Sequence, residues 1–170
     1  MKKSKIKQIS LCAIFTAIIA ATAWISIPTP FGVNMTFQLF GVCLAAYLLG
    51  AKGAVAATAA YIATGASGLP VFSSFTGGMS VLLGTSGGFL WGFLLTALFC
   101  GTSKKCKKKI LKYMLMILSV LLCHAVGVTQ FCVVAGVAVW TAFLNVSLPF
   151  LLKDLILVFL AEIIAKKIKI

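Results

Sequence analysis

The sequence predicts an all-α integral membrane protein, with six transmembrane helices and both termini on the cytoplasmic side. The chain has 170 residues, of which 62% are hydrophobic, and its mean hydropathy is +1.15. It contains only two acidic residues, Asp154 and Glu162. A soluble protein needs more polar surface than this composition supplies, so the apolar interior of a bilayer is the expected solvent.

The spacing of the charged residues predicts the number of helices. Stretches of 44, 51 and 40 residues carry no charge: those between Lys7 and Lys52, between Lys52 and Lys104, and between Lys112 and Lys153. One membrane-spanning helix takes roughly 20 apolar residues, so each stretch has room for two helices joined by an uncharged turn. The predicted helices cover residues 9–27, 36–49, 54–64, 87–101, 110–129 and 148–165.

Four groups of lysines set the orientation of these helices. They lie at residues 2–7, at Lys52, at residues 104–112 and at residues 166–169. Lysines collect in the cytoplasmic loops of membrane proteins, so we expect three hairpins that return to the cytoplasm, within one transmembrane domain of residues 1–170. A signal peptide cleaved near Ala21-Thr22-Ala23 is the alternative for the first helix. The length of the apolar run and the hairpin count favour a span.

The net charge of +13 raises the question of nucleic-acid binding. Every basic residue is a lysine, whereas arginine is the residue that best makes paired contacts with phosphates and bases. The lysines also lie at the expected helix ends, where they favour contact with anionic lipid. We therefore expect the lysines to contact a lipid bilayer, and we expect no nucleic acid as a partner.

The chain has few residues suited to catalysis or metal binding. It has one histidine and no Gly-Lys-Ser/Thr sequence, so it lacks the P-loop motif for ATP. None of its six cysteines forms a Cys-x-x-Cys pair, and five fall within helices, where cysteine packs as a small apolar residue. We expect no catalytic site, no cofactor and no metal site.

The second outer turn, residues 67–84, is the most informative of the three. Loops of this length are typically functional or disordered, and its Val71, Phe72 and Phe75 make it too apolar for disorder. Within a membrane its backbone requires protein or a cavity around it. We predict a lid or plug over the outer half of the bundle. The alternative is a re-entrant packing element that binds no ligand.

Small residues recur at four-residue spacing in the first and fourth predicted helices. They are Ala13, Ala17 and Ala21, and Gly84, Gly88 and Gly92. This spacing lets two helices approach closely, although it is common inside any helical bundle.

Asp154 is the leading candidate for a ligand contact. It lies 12 residues before Lys166, roughly 18 Å along the helix from the cytoplasmic end. An ionised Asp at such depth costs about 3 kcal/mol and normally faces the bundle interior or water. The alternative is a pair with Lys153. Because neighbouring residues on a helix point about 100° apart, we expect Lys153 to extend outward to the membrane surface instead.

Glu162 and His124 favour structural roles. Lys166 follows Glu162 by four residues, in the order that stabilises a helix, so a pair at the cytoplasmic end is expected. His124 lies midway along the fifth helix, where a hydrogen bond to a neighbouring helix is the favoured role and a ligand contact is the alternative.

Several motifs follow one another along the chain. The longest are Tyr61-Ile62-Ala63-Thr64-Gly65-Ala66-Ser67-Gly68-Leu69-Pro70-Val71-Phe72, Gly77-Gly78-x-x-Val81-Leu82-Leu83-Gly84 and Gly87-Gly88-Phe89. Shorter ones are Ile25-Ser26-Ile27-Pro28, Thr36-x-Gln38, Leu48-Leu49-Gly50, Gly136-x-x-x-Trp140, and Leu148-Pro149-Phe150 leading to Asp154. In this order they resemble the motifs of the BioY family, the biotin-specific substrate-capture subunits of energy-coupling-factor vitamin transporters.

The resemblance implies six helices and capture of biotin from outside the cell, for uptake across the cell membrane. It also implies a membrane coupling subunit and two cytoplasmic ATPases as partners, so that ATP is hydrolysed in those subunits and not by this chain. In such families small residues of the first helix contact the coupling subunit. Here Ala13 and Ala17 hold these positions.

The resemblance also assigns a binding site. The polar ureido head of biotin is expected at Asp154, with secondary polar contacts from Gln38 and Ser74. Its apolar parts are expected to pack on aromatic side chains, namely Phe72, Phe75, Tyr61 and Phe89.

Two positions depart from the family pattern. Leu157 stands where the pattern has a lysine, three residues after the aspartate, and Ser74 stands where related proteins are expected to have asparagine. A lysine or asparagine can donate to the carbonyl of a ureido ring. With Lys153 expected on another face, either Ser74 or His124 serves the carbonyl, or the ligand is a relative of biotin.

Two alternatives to biotin capture remain. One is the same architecture with another small vitamin or cofactor precursor as ligand. The other is a structural or assembly subunit of the membrane that binds no small molecule. Mass spectrometry of what co-purifies would separate biotin from the first alternative, and thermal stabilisation by micromolar biotin would count against the second.

Overall fold

The structure, a computed structural model, describes residues 2–168, and for residues 2–4 it describes the backbone alone. The all-α prediction is confirmed. Lys169, the last residue of the fourth lysine group, lies outside the described residues. The elements in chain order are α1 (Lys2–Trp24), β1 (Ser26–Ile27), β2 (Met35–Thr36), α2 (Gln38–Ala66), a 3-10 turn (Ser73–Phe75), α3 (Met79–Leu83), α4 (Gly87–Ser103), α5 (Lys109–Ala135), α6 (Val139–Ala142), a π-helical turn (Phe143–Ser147) and α7 (Leu148–Lys167).

Three of the described helices, α1, α2 and α5, are long and apolar enough to cross a membrane, and α4 is a shorter apolar helix. α7 has 20 residues and carries Lys153, Asp154 and Glu162 along its length. The apolar stretches between the lysine groups are therefore helical, as their composition predicts.

α2 changes direction at Gly50. This residue has φ 74° and ψ 176°, a non-helical conformation that costs glycine little and other residues much more. Contacts with α1 give the direction of each segment: Ile25 meets Phe37 and Ile19 meets Gly41 in the first, whereas Cys12 meets Gly53 and Thr16 meets Ala57 in the second. The first segment therefore runs antiparallel to α1 and the second parallel to it. The chain reverses where the sequence predicts a turn, at residues 50–53.

α4 and α5 pack closely and antiparallel through glycines. A Cβ added to Gly88 would lie 2.6 Å from the carbonyl oxygen of Val126, and one added to Gly92 would lie 2.8 Å from the Cα of Cys123. Further along, the Thr96 hydroxyl donates to the carbonyl oxygen of Ser119. The four-residue glycine spacing thus serves close helix approach at this interface. Ala13 and Ala17, in contrast, lie exposed on the free face of α1.

The two ends of the bundle differ in structure. One end, which we call the loop end, carries residues 25–37 and 67–86. There β1 and β2 form a two-residue antiparallel ribbon that the sequence analysis did not predict. The opposite end, the lysine end, carries Gly50 and residues 104–112, and Gly101 of α4 packs there against Ala51. The functional residues predicted from the sequence lie almost entirely at the loop end.

Candidate functional site

A cavity opens among α2, α4 and α7 at the loop end, with residues of the 67–84 loop as one wall. Its volume is about 50 Å³, enough for a few water molecules, so a larger ligand requires its walls to move. The lining combines apolar and polar side chains: Val33, Asn34, Thr36, Gln38, Leu39, Phe72, Ser73, Val81, Ser86, Phe89, Leu90, Phe93, Phe150, Lys153 and Asp154. Mostly apolar walls with a few polar groups are typical of small-molecule sites.

Asp154 is the acid of this cavity, and only 7% of its surface is exposed. Its Oδ2 lies 3.1 Å from Nε2 of His124 on α5. The other ring nitrogen, Nδ1, lies 2.9 Å from the hydroxyl of Ser147. A neutral imidazole satisfies both contacts if Nε2–H donates to the carboxylate and the Ser147 hydroxyl donates to Nδ1. His124 therefore bonds neighbouring elements, the favoured of its two predicted roles.

Lys153 also faces the cavity, and the prediction that it extends outward is wrong. Its Nζ lies 2.6 Å from Oδ1 of Asp154 and donates to the carbonyl oxygen of Thr36 at 2.5 Å. The rotation of about 100° between neighbouring helix residues fixes only the directions in which their Cα–Cβ bonds point. The flexible four-carbon stem of lysine carries its ammonium group well beyond that point. The Thr36 carbonyl on β2 supplies an acceptor inside the bundle that holds the ammonium there.

Two polar atoms of the cavity are buried without a hydrogen bond within residues 2–168. They are Oδ1 of Asp154 and Nε2 of Gln38. Oδ1 is close enough to Lys153 for an ion pair but not in hydrogen-bond geometry. Gln38 lies beside the Tyr61 hydroxyl, which donates to the carbonyl of Val71. Most buried polar groups are paired, so these two atoms offer one acceptor and one donor to a ligand.

The predicted aromatic contacts divide into two groups. Phe72 and Phe89 line the cavity. Tyr61 is fully buried behind Phe72, with the two ring centroids 5.5 Å apart in an edge-to-face arrangement, so it supports a cavity wall and does not form one. Phe75 lies outside the cavity, 63% exposed, and stacks on Trp24 with a centroid distance of 5.1 Å.

Ser74 also lies outside the cavity. Its hydroxyl accepts a hydrogen bond of 2.9 Å from Nδ2 of Asn34, and Asn34 itself lines the cavity. Sequence reasoning missed Asn34, which comes from the turn between β1 and β2. An amide side chain thus reaches this loop from a neighbouring segment, 40 residues away in the chain.

Trp24 holds one edge of the loop over the cavity. Trp24 stacks on Phe75, and its Nε1 donates to the carbonyl oxygen of Pro70 at 3.0 Å. Ser74 and Phe75 adopt positive φ values of 54° and 56°, which are uncommon for residues other than glycine and carry a conformational cost. That this loop acts as a lid stays a prediction.

Glu162 lies at the lysine end, far from this cavity. It pairs with Lys166 at 2.9 Å, as the four-residue spacing predicts, and also with Lys112 at 2.5 Å. Leu157, between the two acids on α7, is buried in the apolar core. The two acids of the chain therefore have separate environments, one braced by lysines at the lysine end and one open to a cavity.

Comparison with known sequences places these features in a family. The sequence profile of the BioY family matches residues 1–170. The biotin transporter BioY of Thermotoga maritima is 45% identical over 108 residues, which are 64% of this chain and 63% of that protein. The probable biotin transporter BioY of Pyrococcus horikoshii is 31% identical over 168 residues, which are 97% of this chain and 98% of that protein.

Comparison with solved structures gives the same picture. The fold matches the 2.1 Å crystal structure of the S-component for biotin from an ECF-type ABC transporter, with a TM-score of 0.88 and 26% sequence identity. The match covers 98% of this chain and 93% of the other.

Proposed function

This chain belongs to the BioY family, and we propose that it is the substrate-binding subunit of an ECF-type vitamin importer, which captures biotin. The observation that carries this proposal is the carboxylate of Asp154, a buried acid at a cavity whose Oδ1 has no hydrogen bond within residues 2–168. Full-length similarity to a probable biotin transporter supports the same assignment.

The polar groups of the cavity suit the ureido ring of biotin. That ring presents N–H donors beside a carbonyl acceptor, and Oδ1 of Asp154 can accept from an N–H. The apolar part of biotin would pack on Phe72 and Phe89, which line the same cavity. Because the cavity holds only a few water molecules, binding requires the loop at residues 67–84 to move. We propose Ser74 and Phe75 as residues of that moving loop, with Tyr61 supporting Phe72.

We propose six membrane-crossing segments in the cell membrane, with both termini cytoplasmic. Successive segments alternate in direction: α2 reverses at Gly50, α4 and α5 are antiparallel, and α7 runs antiparallel to α5 through its pairs His124–Asp154 and Lys112–Glu162. The lysine groups of residues 104–112 and Lys166 lie at one end, which the positive-inside rule assigns to the cytoplasm. The loop end then faces outward, where the ligand arrives.

ATP hydrolysis is assigned to partner subunits. The sequence contains no P-loop, so we propose that a membrane coupling subunit and two cytoplasmic ATPases drive uptake and that this chain is not an enzyme. The exposed small residues Ala13 and Ala17 on α1 are the proposed contact with the coupling subunit, since small residues let a partner helix approach closely.

A calorimetric titration of the purified chain in lipid nanodiscs tests the function. We expect saturable binding of biotin with a stoichiometry of one, and no binding of thiamine or pantothenate under the same conditions. Absence of heat with biotin, together with binding of one of the other vitamins, would overturn the assignment of ligand. Absence of binding with every vitamin would favour a structural subunit.

A further inference from the structure

Lys153 brings a positive charge into the cavity from a position that the family pattern does not predict. Of the three N–H groups of its ammonium, one is used by the carbonyl oxygen of Thr36. Asp154 Oδ1 lies 2.6 Å away as an ion-pair partner. At least one N–H of the ammonium therefore remains for an acceptor in the cavity, which Lys153 lines.

Lys153 and the buried Gln38 amide supply hydrogen-bond donors to the cavity, and Asp154 supplies an acceptor. Nε2 of Gln38 has no hydrogen-bond partner within residues 2–168, and neither has Oδ1 of Asp154. All three side chains line the same cavity. A cyclic urea carries both matching kinds of group, because its carbonyl can accept from Lys153 or Gln38 and its N–H can donate to Asp154.

The charges of Lys153 and Asp154 determine which group of the ligand can bind beside Lys153. Its ammonium and the carboxylate of Asp154 are 2.6 Å apart, so together they form a neutral pair. A second carboxylate beside Lys153 would be repelled by Asp154 at close range, and this repulsion is strong away from bulk water. A neutral carbonyl gains a charge-assisted hydrogen bond without that repulsion.

We propose, on the basis of the proposed function, that Lys153 binds the ureido carbonyl of biotin directly and with Gln38 makes the site specific for cyclic ureas. Asp154 accepts a ring N–H, and the carboxylate of the ligand's side chain lies away from Lys153. Positions 153 and 157 are four residues apart, so they share one face of the helix, and a lysine at 157 would approach the cavity from one turn deeper.

The test compares three ligands on the wild type and on Lys153→Met by calorimetry in nanodiscs. Biotin and biotinamide both retain the ureido carbonyl, whereas diaminobiotin lacks it. We expect Lys153→Met to lose about 10- to 100-fold in affinity for biotin and for biotinamide, the size of one hydrogen bond to a charged group. Affinity for diaminobiotin should stay the same or increase. Lys104→Met is the matched control, because Lys104 also donates to a backbone carbonyl, that of Leu48, but at the lysine end.

A second variant keeps the test informative if Lys153→Met leaves Asp154 unpaired and unfolds the protein. Lys153→Met/Leu157→Lys restores a cation on the same face and should recover at least tenfold of the lost biotin affinity. Equal biotin affinity in the wild type and Lys153→Met would overturn the inference. So would a loss of affinity for biotin that biotinamide does not share. An equal loss of affinity for diaminobiotin would also overturn it. A wild type that does not bind biotin would instead overturn the proposed function.

Discussion

Asp154 of α7 and His124 of α5 meet through a 3.1 Å contact between Oδ2 and Nε2. This contact uses one carboxylate oxygen and leaves Oδ1 facing the cavity beside Lys153. Breaking a buried charge pair is costly because the remaining charge is left uncompensated. His124 and Lys153 therefore hold the two oxygens of the Asp154 carboxylate, with Oδ2 at the imidazole and Oδ1 at the ammonium.

Replacement of His124 should weaken biotin binding without abolishing it. His124→Ala removes the donor to Oδ2 and leaves the carboxylate free to rotate, so we expect about a tenfold loss of affinity by calorimetry. Thr129→Val, an exposed position on the same helix, is the control and should bind as the wild type does. Wild-type affinity in His124→Ala would show that binding does not depend on the contact between His124 and the Asp154 carboxylate.

Substitution of Gly88 should destabilise the bundle. A Cβ at this position would lie 2.6 Å from the Val126 carbonyl oxygen and 2.9 Å from the Cα of Gly127, so α4 and α5 must separate. We expect Gly88→Ala to cost about 1–3 kcal/mol of unfolding free energy, measured by unfolding in detergent. Ala60→Val adds more volume on an exposed face and should leave the stability unchanged. Equal stability of both variants would contradict the close packing of these helices.

Trp24 should control how long the ligand stays bound. Trp24→Ala removes the stack on Phe75 and the hydrogen bond to Pro70, together about 2 kcal/mol. Radiolabelled biotin should then dissociate about 30-fold faster, because affinity changes appear mainly in dissociation. Trp140→Ala removes a comparable stack, on Phe143, and should leave the rate unchanged. An unchanged rate in Trp24→Ala would show that the loop does not retain the ligand.

Much of the fold could be predicted from the sequence. Gaps between lysines predicted where the helices lie, because the bilayer excludes charge over a fixed thickness. Lys52, between two long uncharged stretches, predicted the reversal within α2, and the depth of Asp154 separated it from Glu162. These features depend on the membrane and on helix geometry, which act on local sequence. The ribbon of β1 and β2 was missed, because two-residue strands are too short to show a periodic pattern.

The polar contacts of the site depended on the tertiary structure. Lys153 faces inward because of the Thr36 carbonyl, 117 residues earlier in the chain, and no spacing rule for a single helix contains that acceptor. In the same way, Asn34 reaches Ser74 from another turn. The aromatic side chains showed a further limit. Apolar residues in a loop predict burial or contact, but they do not predict which of them, Phe72 or Phe75, lines the cavity.

The most direct test of biotin capture at Asp154 is a calorimetric titration of Asp154→Asn with biotin, beside the wild type and Glu162→Gln. Asn keeps the shape of the side chain and loses the charge that accepts from the ureido N–H. We expect the affinity of Asp154→Asn to fall by at least about 100-fold, in line with the loss of a buried charged partner, and that of Glu162→Gln to match the wild type. Wild-type affinity in Asp154→Asn would contradict the account.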